Sequence, residues 1–336
     1  MKKAVIIAVV VLAFFGSYRY FMQSTTDPVE PVVLLVPTAA LSTIYGWQPG
    51  TLEVRFTDQQ VADRTVRIAY PAEAGNYPLI LFSPGNWSDS AQYDALFAHW
   101  VSWGYVVVAA NHLDSGGAVR GIFNAIRYGQ LRLITSRSED FAAVLAGLPQ
   151  LEQSLPALRG KIDYQRIAAA GHSFGAFTAQ QFIGAAAFDE DANEWHFARD
   201  PRIRAVVAIS PPGPMLGLIT EQSWQQVDQP MLVTTGTRDI TEPFWDSWEA
   251  HRISFDKAVA GQNYALVVDG ADHYFGNLIC RLDREGPAQY DALNTVNATT
   301  TAFFDWHLKG IEAAQVSLES HVIGAITNNY AELYSR

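Results

Sequence analysis

The sequence predicts an α/β chain with a mainly parallel central sheet, helices on both faces and antiparallel strands at the amino-terminal edge. Three observations carry this. Short, continuously apolar runs recur between Leu79 and Val268, as strands covered on both faces require. Helical stretches separate them, which implies right-handed crossovers. Two runs with a period of two precede them, the signature of half-exposed antiparallel strands.

The elements follow in order. Residues 52–56 and 65–70 alternate and supply the edge pair. The buried runs are 79–82, 105–109, 167–170, 205–209, 231–233 and 264–268. The clearest helix spans 138–148, where Ser138 can cap and Phe141, Val144, Leu145 and Leu148 form an apolar stripe. A last helix is expected over 299–309, with Gly310 just past its end. The tail from Ile311 onward carries no clear pattern.

With 336 residues and 49% apolar content, the chain can bury a substantial core. A formal charge of −11 with no Lys/Arg cluster argues against a nucleic-acid partner. Cys280 is the single cysteine, so neither an intrachain disulfide nor a Cys-based zinc or iron–sulfur site can form. Lys2 and Lys3 precede an apolar run over 4–15 with no A-x-A cleavage site after it. Residues 1–23 therefore read as a signal anchor, or else a signal peptide. The rest would then be exported to a periplasmic or extracellular face and held at the membrane. Residues 24–45 read as a tether and 46–336 as one α/β domain, with lid insertions near 116–135 and 211–229.

The chemistry centres on Gly171-His172-Ser173-Phe174-Gly175, a G-x-S-x-G run between a strand and a helix. A serine on so sharp a turn exposes its hydroxyl, and the helix start behind it offers free N–H groups to a developing anion. A serine nucleophile needs a base, and the base an orienting carboxylate. His273 follows the 264–268 strand through a short loop and is the candidate base. Asp239 follows the 231–233 strand through Gly236-Thr237-Arg238 and is the candidate acid, with Glu242 the other choice. Asp269 and Asp272 are assigned to the turn itself.

The remaining histidines fit less well. His99 and His112 precede the serine, and His172 is pinned in its turn. His307 packs in a helix, His196 and His321 follow no evident strand, and His251 lies in a polar, helical stretch. Oxyanion donors are expected from the backbone N–H of Phe174 and of Asn86, the latter in the loop Ser83-Pro84-Gly85-Asn86-Trp87. Trp87 is a candidate cleft residue, and Trp224 and Trp245 lie where they could border the same cleft. This chemistry calls for no metal and no organic cofactor.

Together these residues resemble the α/β-hydrolase superfamily. Within it, the chain resembles the group of platelet-activating-factor acetylhydrolases, dienelactone-hydrolase-like proteins and bacterial polyester hydrolases. The resemblance runs from about Leu52 to Lys309. It is carried by Val66-Arg67-Ile68-Ala69-Tyr70-Pro71, Pro78 to Gly85, Gly104 to His112, Arg137-Ser138-Glu139-Asp140, the elbow, Gly236-Thr237-Arg238-Asp239 and Gly270-Ala271-Asp272-His273. It implies a serine ester hydrolase working through an acyl-enzyme on a small-molecule or lipid-like ester. An acyltransferase with the same triad and a non-catalytic binding module are the alternatives. The chain departs from the acetylhydrolases in having Pro84-Gly85 where they carry His-Gly. Its strand after the nucleophile helix ends Ile209-Ser210-Pro211-Pro212-Gly213, without their acid.

Overall fold

Segments such as Val-Val-Val-Ala-Ala have no polar face to present to water and are stable only where both faces are covered. The computed structural model, which describes residues 38–241 and 244–336, satisfies this with a central sheet. Its strands are β1 (Val54–Val61), β2 (Arg64–Pro71), β3 (Tyr77–Ser83), β4 (Val106–Ala110), β5 (Ile162–His172), β8 (Ile203–Ile209), β9 (Met231–Arg238), β10 (Asn263–Asp272) and β11 (Ala331–Ser335). The spatial order is β1-β2-β4-β3-β5-β8-β9-β10-β11, and β6 (Ala186–Asp189) pairs with β7 (Glu194–Phe197) in a separate hairpin. From β4 to β10 every neighbouring pair is parallel. The edge pair β1–β2 is antiparallel, as the alternation predicts, and so is β2 to β4. The chain has an α/β-hydrolase fold.

Alternate strand residues feed two cores. Leu79 and Leu81 face one side and meet Phe141, Val144, Leu145 and Leu148 of the helix Gln130–Ser154. Ile80 and Phe82 face the other and meet Phe97 and Trp100 of Asp94–Ser102 and Phe303 and Phe304 of Tyr290–Lys309. Each such fully buried aliphatic or Phe side chain contributes roughly 1.5–3 kcal/mol.

Several expectations change. Ser138 does not cap a helix, because the helix begins at Gln130; its hydroxyl instead bonds Gln181 Oε1 at 2.8 Å. The tail is structured, since β11 closes the far edge antiparallel to β10. Its five residues bury only Ala331 and Leu333, too short an alternation to stand out. The expected last helix starts earlier, at Tyr290, and ends at Lys309, with Gly310 capping it at φ 70° as expected. Packing also begins before residue 46. Leu41 and Ile44 are buried with Trp47 and Ala298, and Tyr45 donates to Asp305 Oδ2 at 2.6 Å. The anchor expected over 1–23 and most of the tether lie outside the described residues, as does Glu242. Among the described residues no helix is long and apolar enough to cross a membrane.

Candidate active site

The turn between β5 and the helix Phe174–Gln181 is built by two glycines. A Cβ on Gly171 would lie 2.2 Å from Gly175 O, and one on Gly175 would lie 2.0 Å from Ser83 O. Without side chains there, the turn closes on itself and on the end of β3. Ser173, between them, adopts φ 54° and ψ −127°, a left-handed conformation that costs about 1–3 kcal/mol in a non-glycine residue. Its N–H donates to Ile209 O at 2.8 Å, which fastens the turn to β8. Among the described residues, the N–H groups of Phe174 and Asn86 have no intramolecular acceptor. Phe174 is the first helical residue, so an unpaired N–H is the normal consequence of its position.

The loop after β3 rests on a buried ion pair. Arg137, fully buried, holds Asp114 at 2.7 Å and donates to Pro84 O at 2.8 Å, Gly85 O at 3.2 Å and Ser83 Oγ at 3.2 Å. Asp114 in turn accepts from Trp87 N–H at 3.4 Å. Burial alone would raise the Asp114 carboxyl, but the Arg137 charge outweighs it and holds the group below the usual range. His112 braces the same loop, bridging Ser83 Oγ at 2.9 Å and Asp140 Oδ2 at 3.0 Å.

Asp239 and His273 are brought together by strand register. β9 and β10 are parallel neighbours in which Arg238 lies opposite Asp272, so the next residue of each strand emerges at the same edge. His273 Nδ1 and Asp239 Oδ1 are 2.7 Å apart, with His273 4% exposed and Asp239 fully buried. Thr235 Oγ1 donates to the other carboxylate oxygen at 2.9 Å. Burial would raise the Asp239 carboxyl; the charges of His251 and His273 and hydrogen bonds from His273 and Ser210 overcome it and hold it well below the usual range. Asp272 accepts from the Tyr274 and Gly276 amides, and Asp269 accepts from Thr237, so both serve the turn.

His251 lies in a polar stretch of the sequence, yet its ring is buried against the same carboxylate. Its Nδ1 lies 2.7 Å from Pro211 O, an atom that only accepts, so Nδ1 carries the hydrogen. Its Nε2 lies 3.2 Å from Asp239 Oδ1, so the His251 and His273 rings flank the same carboxylate oxygen. Burial pushes His251 below the ordinary histidine range, while the Asp239 charge opposes that shift. The ligand atoms of Asp239, His251 and His273 converge within 4.8 Å. A separation of 2.7 Å between His273 Nδ1 and Asp239 Oδ1 is hydrogen-bonding contact, tighter than two donors at about 2 Å from one tetrahedral ion would sit.

His172 links the elbow to the loop that carries His273: its Nε2 lies 2.8 Å from His273 O, and the two ring centroids are 4.7 Å apart. No hydrogen bond joins the Ser173 hydroxyl to His273 among the described residues, and such contacts commonly tighten only with substrate.

The tryptophans divide. Trp87 is half-buried and packs on Gly121 of the helix Ala118–Tyr128, where an added Cβ would lie 1.8 Å from its Cδ1. Trp224 borders no cleft; it is fully buried and donates to Gln180 Oε1 at 2.9 Å. Trp245 stands beside His251, ring centroids 5.3 Å apart. Cys280 is buried, 2.9 Å from Ser88 Oγ, and burial pushes its thiol up. His196 belongs to β7, a strand too short to recognise in sequence. The segment 116–135 is mostly helical, and its Val119, Phe123 and Ile126 are 78%, 60% and 50% exposed.

Arg137, Asp114, Tyr93, His172 and His251 were not assigned from sequence. A signal existed for one. Arg137 heads the stripe of Phe141, Val144, Leu145 and Leu148, and a charge on a buried helix face needs a buried partner.

Comparison with known proteins agrees with the fold. The family model described as Chlorophyllase matches residues 43–189. That stretch contains Asn86, Ser173 and Phe174 and stops before Asp239 and His273. The platelet-activating factor acetylhydrolase of Cavia porcellus is 25% identical over 173 residues, covering 42% of this chain and 36% of that protein. The match thus spans little more than a third of the relative's length. Both matches support the resemblance to the α/β-hydrolase superfamily.

Proposed function

We propose that this chain is a serine ester hydrolase acting on small-molecule or lipid-like carboxylic esters. The carrying observation is the buried 2.7 Å contact of Asp239 with His273, one hydrogen bond away from the strained elbow at Ser173. A platelet-activating factor acetylhydrolase among the matched proteins supports the ester-hydrolase class.

Ser173 Oγ attacks the ester carbonyl carbon while His273 Nε2 takes its proton. Asp239 accepts from Nδ1–H, which fixes the tautomer with a free lone pair on Nε2 and stabilises the imidazolium that forms. The tetrahedral oxyanion accepts from the Phe174 and Asn86 N–H groups. His273 then protonates the departing alkoxide, and water activated by the same base releases the acyl group. Lys2, Lys3 and the apolar run after them support export with membrane anchoring.

Ser173→Ala is expected to reduce p-nitrophenyl ester turnover to the uncatalysed background and to abolish covalent labelling by a fluorophosphonate. Turnover unchanged by that substitution rules the assignment out.

A further inference from the structure

Three loops of the candidate site are joined by one buried chain of hydrogen bonds. Gly85 N–H, in the loop after β3, lies 2.8 Å from Tyr93 Oη. Tyr93 Oη lies 3.0 Å from His172 Nδ1, and His172 Nε2 lies 2.8 Å from His273 O. The ends determine the direction of every proton. The His273 carbonyl only accepts, so His172 Nε2 carries the hydrogen. The neutral ring then has a lone pair on Nδ1, and Tyr93 O–H donates to it. The Gly85 amide only donates, so the Tyr93 oxygen receives it. The amide, the ring nitrogens and the carbonyl are each used once in the required role, and the Tyr93 oxygen has Cys280 as a further neighbour.

The surroundings hold this pattern. Tyr93 and His172 are both fully buried. Burial pushes the His172 ring well below the ordinary histidine range and the Tyr93 phenol well above its own, so both stay neutral. Phe82 and Phe97 pack against the Tyr93 ring, with centroids 4.8 and 6.2 Å away. A Cβ on Gly85 would sit 3.1 Å from Tyr93 Oη and 3.2 Å from His172 Nδ1, so glycine leaves the chain its room.

We propose that Tyr93 and His172 are positioning residues which hold the oxyanion loop and the base loop in register with the Ser173 elbow. The inference rests on the hydrolase reading above. Neither side chain supplies a reacting group, although the His172 ring packs on that of His273. Tyr93 fixes the Gly85 amide and with it the direction of the next amide, that of Asn86. His172 fixes the main chain of His273, leaving Asp239 to orient only its ring. The residue between Gly171 and Ser173 is thus chosen for two opposed ring nitrogens, which no aliphatic side chain supplies.

The test compares Tyr93→Phe, His172→Gln and the double variant by kcat and KM per fluorophosphonate-titrated site, and by affinity for a trifluoromethyl ketone analogue. Phe retains the ring packing, and Gln retains an N–H for His273 O. Each single variant is expected to lower kcat roughly 10–100-fold with KM within about twofold, and to weaken analogue binding in proportion. The double variant is expected to fall no more than about twofold below the worse single, because either break interrupts the same chain. Values of kcat per titrated site within about twofold of wild type, or losses that multiply in the double variant, overturn the relay. If the wild type itself takes no fluorophosphonate at Ser173, the hydrolase reading fails first and the relay falls with it.

Discussion

Replacing Arg137 by Met isolates the contribution of the buried ion pair beneath the loop after β3. Met keeps much of the apolar stem but removes the guanidinium. Asp114 would lose its contacts at 2.7 and 3.1 Å and retain only the Trp87 amide at 3.4 Å. The Pro84 carbonyl would lose its donor as well, and the Gly85 carbonyl would keep only the Ser88 N–H at 3.3 Å. Breaking a buried pair by removing one partner costs about 3–5 kcal/mol, chiefly because a charge is left uncompensated. Total stability of a domain is only about 5–15 kcal/mol, so the variant should remain folded at 25 °C but with a much reduced margin. Thermal unfolding followed by circular dichroism should show a midpoint lower by roughly 6–10 °C, at about 2 °C per kcal/mol. Adding Asp114→Asn should recover roughly half the loss, since an amide tolerates the missing cation. The reasoning is refuted if Arg137→Met loses less than about 1 kcal/mol, or if the double variant is no more stable than the single one.

Two further outcomes are expected. Asp239→Asn should lower kcat by roughly 10³–10⁴, because the amide stabilises the wrong imidazole tautomer while preserving shape; a loss under tenfold in steady-state kinetics would remove Asp239 from its role. Stability should also fall as pH drops from about 6.5 towards about 4. Burial holds His99 and His307 at about 4 in the folded chain against an ordinary 6.5, so the unfolded chain binds more protons across that window. His307→Phe should flatten the slope in urea titrations at stepped pH, and an unchanged slope contradicts the linkage.

The sheet and the elbow were legible because their signals are local. Apolar runs such as 105–109 announce doubly covered strands, and the alternation over 65–70 announces the edge. Gly171-x-Ser173-x-Gly175 announces a turn that only small residues permit. Asp239 and His273 could be picked out because each follows a recognisable strand, and the register of Arg238 with Asp272 then sets them side by side. The helix start at Gln130 was missed because Gly129, with φ 84°, separates two helices whose residues lack the stripe seen after Ser138.

The sequence by itself determined the fold class, the strand order of the chemistry and the residue types available to it. These depend on periodicity and on conformational limits that act over a few positions. Only the tertiary structure decided what stands behind each group: His251 on the far side of Asp239, Arg137 under Pro84 and Gly85, and Tyr93 and His172 linking three loops. Those contacts join residues that are 12 to 101 positions apart in the chain. A neutral or charged side chain carries no local mark of the partner it will meet once burial removes water. That is why the candidate serine could be picked out from five residues, while the framework around it could not.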